Sequence, residues 1–259
     1  MAIIGAILGD IVGSKWEFNR PWNLDWKGVE LFAKDCFYTD DTVLTIATKY
    51  ALQNKVSFAD AYYEFGIKYP NCSYGGGFSK WLKSSDRQPY NSCGNGSAMR
   101  VSPIVDFFDT LGSVSQYAES SAVCTHNHAE GIKGAVVTAV CGFMAKTGAS
   151  KKEIEEYALR QYPEDSCLYP VSMILDEMRR ECGWDTTCQG SVPVAIRCFL
   201  DSEDYESFLR NVLSIRCDTD TLCAIGGGIA EEFYHGTVPN ANALLRNYLP
   251  KELYDLVVS

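Results

Sequence analysis

Two short stretches of this chain put oxygen donors where a helix begins. Residues 38–42 read Tyr-Thr-Asp-Asp-Thr and residues 218–221 read Asp-Thr-Asp-Thr. One Asp or Thr is enough to satisfy the free amides of a helix start. Setting Asp40 beside Asp41 adds like-charge repulsion for little capping gain. Asp218 and Asp220 lie two residues apart and converge only across a tight turn. Carboxylates with threonine hydroxyls, lacking imidazole and thiolate, suit Mg2+, Mn2+ or Ca2+ better than zinc or copper. Four carboxylates gathered in one place can hold two such ions, about 3.5–4 Å apart. Either stretch alone reads equally well as a redundant cap. The repetition at a second helix start argues for a shared purpose.

Three other stretches carry chemistry. "SYGGGF" (73–78) and "CGNGSAMR" (93–100) are glycine-rich, and backbone amides in such loops can cradle an anion. Neither ends in the Gly-Lys-Ser/Thr of a phosphate-binding P-loop, neither follows a strand, and each alone reads as an ordinary turn. "CTHNHAEG" (124–131) holds two of the three histidines. Their i, i+2 spacing puts them on different faces of a helix, which disfavours a joint metal site. One histidine contacting a ligand and a polar helix start are the two open readings. Glu17 sits between Trp16 and Phe18 after a helix of small residues. Partial desolvation there raises a carboxyl pKa towards values useful for acid–base work; the plainer reading is a surface glutamate.

The elements that must position these groups read as helices. Apolar periodicity predicts them over 43–52, 57–69, 129–146, 150–161, 171–181, 203–213 and 219–235, with Ser57 and Ser150 as caps. Few segments read as strands, so the expected fold is all-α. Gly226, Gly227 and Gly228 inside the last of these helices each cost up to about 1 kcal/mol relative to alanine. Their presence predicts a second helix packed close, bringing the two Asp-bearing ends together. No linker divides the chain, so residues 1–259 are expected to form one domain. No repeating apolar seam is visible, which points to a monomer.

Composition excludes several functions. The chain has 259 residues, a net charge of −10 and no Lys/Arg cluster, which argues against duplex nucleic acid as a partner. An anionic ligand would have to be held by backbone amides or metal ions. No apolar run is long enough for a membrane span. The apolar start is short, lacks a basic flank and carries Asp10, so it reads poorly as a signal peptide. The 11 cysteines include no Cys-x-x-Cys pair, which disfavours zinc. Cys141 and Cys198 read as small core residues, and reduced thiols point to the cytoplasm.

The order "GAILGDIVGSKWE", "YTDDT", "YGGG", "GNGSAMR", "THNHAEG" and "DTDT" followed by a small-residue helix resembles the ADP-ribosylglycohydrolase family, over residues 3–236. That resemblance implies an all-α orthogonal bundle with a central cleft floored by two Mg2+, or Mn2+ in some members. It implies Thr39, Asp40 and Asp41 as one ligand group and Asp218, Asp220 and Thr221 as the other, with Asp40 and Asp218 essential to catalysis. Glu17 corresponds to the family's mobile glutamate. Gly75, Gly76 and Gly77 correspond to the diphosphate loop, while Gly94, Asn95, Gly96, Ser97 and Met99 correspond to the ribose and phosphate loop. His126 corresponds to the ligand-contacting histidine. Arg216 and Cys217 stand where many members have two glycines. The implied reaction is hydrolysis at C1 of the distal ribose of an ADP-ribosylated protein or small molecule, releasing ADP-ribose. A metal-dependent phosphoesterase and a non-catalytic ADP-ribose-binding protein are the alternatives.

Overall fold

A computed structural model describes residues 1–259 as an all-α protein of fourteen helices with no strand. In chain order they are α1 (Ala2–Ser14), α2 (Asp40–Asn54), α3 (Phe58–Lys68), α4 (Gly76–Lys83), α5 (Ser102–Phe107), α6 (Leu111–Val123) and α7 (Ala129–Lys146). There follow α8 (Lys151–Gln161), α9 (Leu175–Glu181), α10 (Cys188–Leu200), α11 (Tyr205–Leu213), α12 (Thr219–Tyr234), α13 (Ala241–Tyr248) and α14 (Lys251–Val258). No helix is long and apolar enough to cross a membrane. All the cysteines are free thiols, and Cys141 and Cys198 are fully buried in the core.

The two central helices are α1 and α12. Every residue of α1 except Ile4 is buried, and so is α12 from Thr219 to Glu231. Their contact is backbone on backbone. A Cβ at Gly5 would lie 2.3 Å from the Gly227 carbonyl oxygen, one at Gly9 2.2 Å from that of Cys223, and one at Gly13 2.4 Å from the Asp220 Cα. Three glycines of α1 at i, i+4, i+8 thus form a flat stripe on which α12 lies directly. The close approach predicted from Gly226–Gly228 is present, with α1 as the partner helix. Carboxylates hold the start of α1: Asp106 accepts from the amides of Ala2 (2.9 Å) and Ile3 (3.3 Å), and Glu231 accepts from Gly5 (2.6 Å). These acids complement the positive end of the helix dipole.

The sequence-predicted helices are found with small shifts. Ser57 and Ser150 cap α3 and α8, the latter in a capping box with Glu153. The helix expected from 171 starts only at Leu175, because Pro170–Met173 closes a turn first. Most of α2 is buried, not only the face of Val43, Ile46, Ala47 and Ala51, because α1, α3, α5 and α14 surround it. Helices α4, α5, α6, α10, α13 and α14 lie outside the predicted set. Several are short or carry Gly and Pro, which weaken a periodic signal.

Gly9→Ala should destabilise the protein by about 1–3 kcal/mol, since its methyl group meets backbone that cannot rotate away. Gly112→Ala, where a Cβ meets nothing within 4 Å, should be neutral or stabilising by up to about 1 kcal/mol. Urea denaturation of the two variants checks this; equal midpoints would mean that the α1–α12 contact is not close.

Candidate metal and anion site

The α1–α12 seam carries the acidic end of each helix to one place. Asp10 and Glu17 come from α1 and the turn after it, Asp40 and Asp41 from the start of α2, and Asp218 and Asp220 from the start of α12. Oxygens of Asp10, Asp41 and Asp220 lie within 4.8 Å of one another, as do those of Glu17, Asp218 and Asp220. Asp220 belongs to both groups and joins them. Asp40 lines the same cleft but belongs to neither cluster at that spacing.

Capping does not account for these acids. At α2 the cap is Thr39, whose Oγ1 accepts from the Asp41 amide at 3.2 Å. At α12 the N-cap residue Asp218 makes no capping hydrogen bond. Its carboxylate instead accepts from Asn95 Nδ2 at 2.8 Å. Thr221 Oγ1 stands 3.4 Å from Asp41 Oδ2, across the junction of α2 and α12.

Asp10 is the residue that sequence reasoning missed. It is fully buried and accepts from the amides of Thr39 (2.9 Å) and Thr42 (3.1 Å) and from both threonine hydroxyls. With both oxygens engaged, Asp10 fastens the start of α2 to α1. Thr42 is half of that anchor. The available signal was a charge in the middle of an apolar helix.

No lysine or arginine pairs with any of these carboxylates. Burial raises Asp10 to about 6 despite its hydrogen bonds. Burial, then the charge of Asp218, raises Glu17 to about 7. Asp40, Asp41 and Asp220 are pushed well above the ordinary range by burial and by neighbouring carboxylates. Asp41 Oδ1 is buried with no hydrogen-bond partner. A buried, crowded, oxygen-only donor set with an orphaned carboxylate oxygen fits hard divalent cations.

Above this acidic floor lies a cleft of about 350 Å³. On one side, Ser73 takes a left-handed backbone conformation (φ 62°) and leads into α4. Only Gly75 of the expected glycine loop is outside the helix; Gly76 and Gly77 are its first residues. No side chain caps α4, and a Cβ at Gly75 or Gly76 would meet nothing within 4 Å. Free amides beside open space at a helix start are able to receive an anion. On the other side, Asn95–Ser97 form a single 3-10 turn and Met99 follows. Gly94, Asn95, Gly96, Met99 and His126 line the cleft, but Ser97 turns away, donating to the Gly131 carbonyl at 2.7 Å. His128 caps α7 by accepting from Glu130. His128 thus takes the helix-start reading, while His126 lies in the cleft wall. At the mouth, Phe18 and Trp184 are exposed, with ring centroids 5.4 Å apart. Trp184 gave no signal because its segment matches no motif.

The ADP-ribosylglycohydrolase family model matches residues 1–231. ADP-ribosylhydrolase ARH3 of Mus musculus is 28% identical, covering 90% of this chain and 82% of that protein. The putative ADP-ribosyl glycohydrolase L543 of Acanthamoeba polyphaga mimivirus is 23% identical over 92% of this chain and 87% of its own length. Among solved structures, an ADP-ribosylglycohydrolase-related protein complex superposes with a TM-score of 0.74 at 22% identity, over 99% of this chain and 94% of that one.

A carboxylate raised in the folded state binds its proton more tightly there than in the unfolded chain. Stability is therefore lost as pH rises through the window between the two values, from about 4 to about 7 for Asp10 and Glu17. Thermal melts of metal-free protein should show Tm falling across that window. Glu231, raised to about 7 by burial at the far end of α1, adds a fall that metal does not relieve. Mg2+ should raise Tm more at about pH 8 than at about pH 5, where protons compete for the carboxylates. A shift of equal size at both would place the ion elsewhere.

Proposed function

Because the chain belongs to the ADP-ribosylglycohydrolase family, we propose that it hydrolyses the bond at C1 of the distal ribose in an ADP-ribose conjugate, releasing ADP-ribose. The observation that carries this reading is the junction of two unlike surfaces in one cleft: buried carboxylates without a cation, facing open backbone amides. The main core cluster draws residues from Ile3 through to Val257, with a small second cluster among α5, α6 and α7, which supports treating the chain as one domain.

The residues fit two divalent ions, with Mg2+ the favoured occupant and Mn2+ an alternative. Asp41, Asp218 and Asp220 would be the central donors, with Thr39, Asp40 and Thr221 contributing from the same helix starts. When bound, such ions supply Lewis-acid polarisation of oxygen ligands and neutralise the crowded acids. The chain's own residues do the rest. Asp10 fixes the start of α2, and Asn95 holds the Asp218 carboxylate. The first amides of α4 receive a phosphate, with Gly75 and Gly76 leaving room for it. His126 and the Gly94–Gly96 turn hold the other side of the ligand.

Glu17 stands within reach of Asp218 and Asp220, and its pKa near 7 lets it hold or accept a proton at neutral pH. It is the group placed to exchange a proton with the attacking water or with the leaving group as positive character grows at C1. Phe18 follows Glu17 directly and stacks near Trp184, so the aromatic mouth lies on the Glu17 side of the cleft. That placement supports a role for Phe18 and Trp184 in contacting the acceptor part of the conjugate. The acceptor can be a protein side chain or a small molecule.

Asp218→Asn should abolish ADP-ribose release and weaken Mg2+ binding, and chelation of the unmodified protein should do the same. Glu17→Gln should keep ADP-ribose affinity while lowering the single-turnover rate at least about 100-fold. Trp184→Ala should raise KM for conjugates more than Kd for free ADP-ribose. Chromatography of the products decides the reaction: free ADP-ribose fits glycoside hydrolysis, whereas AMP with ribose phosphate would establish a phosphoesterase. Tight ADP-ribose binding without turnover on arginine-, serine- or small-molecule-linked substrates would make the protein a binder.

A further inference from the structure

Arg100 is the largest fully buried side chain, and no carboxylate pairs with its charge. Its guanidinium lies 3.9 Å over the Tyr62 ring. Nη2 donates to the Ser121 carbonyl and to Thr125 Oγ1, both at 2.9 Å, while Nε and Nη1 have no partner. A buried cation without a counter-ion is costly unless it serves a ligand or a neighbour.

The neighbour is His126. Thr125 Oγ1 lies 2.7 Å from His126 Nδ1. Arginine can only donate, so the threonine oxygen accepts from it and has a single proton left to give. The Ala122 carbonyl is a poor recipient at 3.5 Å, and Nδ1 is the near one. Nδ1 is therefore the acceptor, and the neutral ring carries its proton on Nε2. Burial, then the Arg100 charge, holds His126 well below its usual pKa and keeps it neutral. Nε2 has no partner within the protein and faces the ligand turn. A Cβ at Gly96 would stand 3.2 Å from it and one at Gly94 3.7 Å.

We propose that Arg100 is a positioning residue that acts through Thr125 to hold His126 in the Nε2–H tautomer, presenting a hydrogen-bond donor to a phosphoryl oxygen of the ligand. The proposal rests on the reading that the cleft takes ADP-ribose. The arrangement lets an uncharged ring deliver a donor into a cleft whose floor is acidic, with the Arg100 charge beside it. A histidine free to change tautomer would present a lone pair to the phosphate part of the time and repel it.

The test is nitrogen-15 NMR on histidine-labelled full-length protein, with the His126 signals identified by their loss in His126→Gln. Without ligand or metal at neutral pH, the native protein and Thr125→Ser should show protonated Nε2 and bare Nδ1. Thr125→Val, which keeps the shape and removes the hydroxyl, should show a mixture or the reverse tautomer. Its Kd for ADP-ribose in Mg2+ should rise about tenfold, with Thr125→Ser restoring it. A native ring protonated at Nδ1, or a Thr125→Val protein with native tautomer and affinity, would overturn the proposal. Nε2–H in a native protein that binds no ADP-ribose would support the relay and overturn the hydrolase reading instead.

Discussion

Mutual repulsion among buried carboxylates is the constraint around which this molecule is built. Glu17, Asp40, Asp41, Asp218 and Asp220 share one pocket floor, with Asp10 packed behind it and no basic side chain to separate them. Left alone, such a group would push the starts of α2 and α12 apart. Three features oppose this. The positive ends of both helix dipoles point at the cluster. Asp10 gives up its own oxygens to tie α2 to α1. The glycine stripe locks α1 to α12 through the main chain. The scaffold thus holds an unfavourable charge arrangement in readiness, with the vacant oxygen of Asp41 as its clearest mark.

The cleft is electrically two-sided. Its floor attracts cations, while the open amides of α4 and the buried guanidinium of Arg100 favour anions. A ligand with a sugar at one end and a diphosphate in the middle meets these surfaces in only one order. Such a ligand would be oriented by charge separation across a few side chains, without a surface rich in lysine or arginine. This agrees with the net charge of −10.

The sequence exposed those parts of the site where chemistry and local structure coincide. The Asp-Thr runs were legible because their composition exceeds what a cap needs, and Gly226–Gly228 because they contradict helix propensity. Asp10 and Arg100 were not legible as site residues. Each is a single charge whose meaning depends on three-dimensional neighbours: Thr39 and Thr42 for one, Thr125 and Tyr62 for the other. Gly76 and Gly77 read as loop because propensity opposes helix there; in the structure they open α4, where unbonded amides make glycine tolerable. Ser97 stands among the motif residues yet bonds inward: its hydroxyl donates to the Gly131 carbonyl, while Gly94, Asn95 and Gly96 before it line the cleft.

The seam between α1 and α12 also has a bearing on how the chain becomes active during synthesis. The amide of Gly5 is bonded to Glu231, 226 residues further on. Local helices can form while the chain is still emerging, but a contact between segments so distant must wait until both exist. The hydrophobic surface of α1 is made long before its partner α12, and until then is open to association with other chains. The same contact sets the spacing of the acids: a nascent chain lacking α12 has neither the finished core nor Asp218, Asp220 and Thr221.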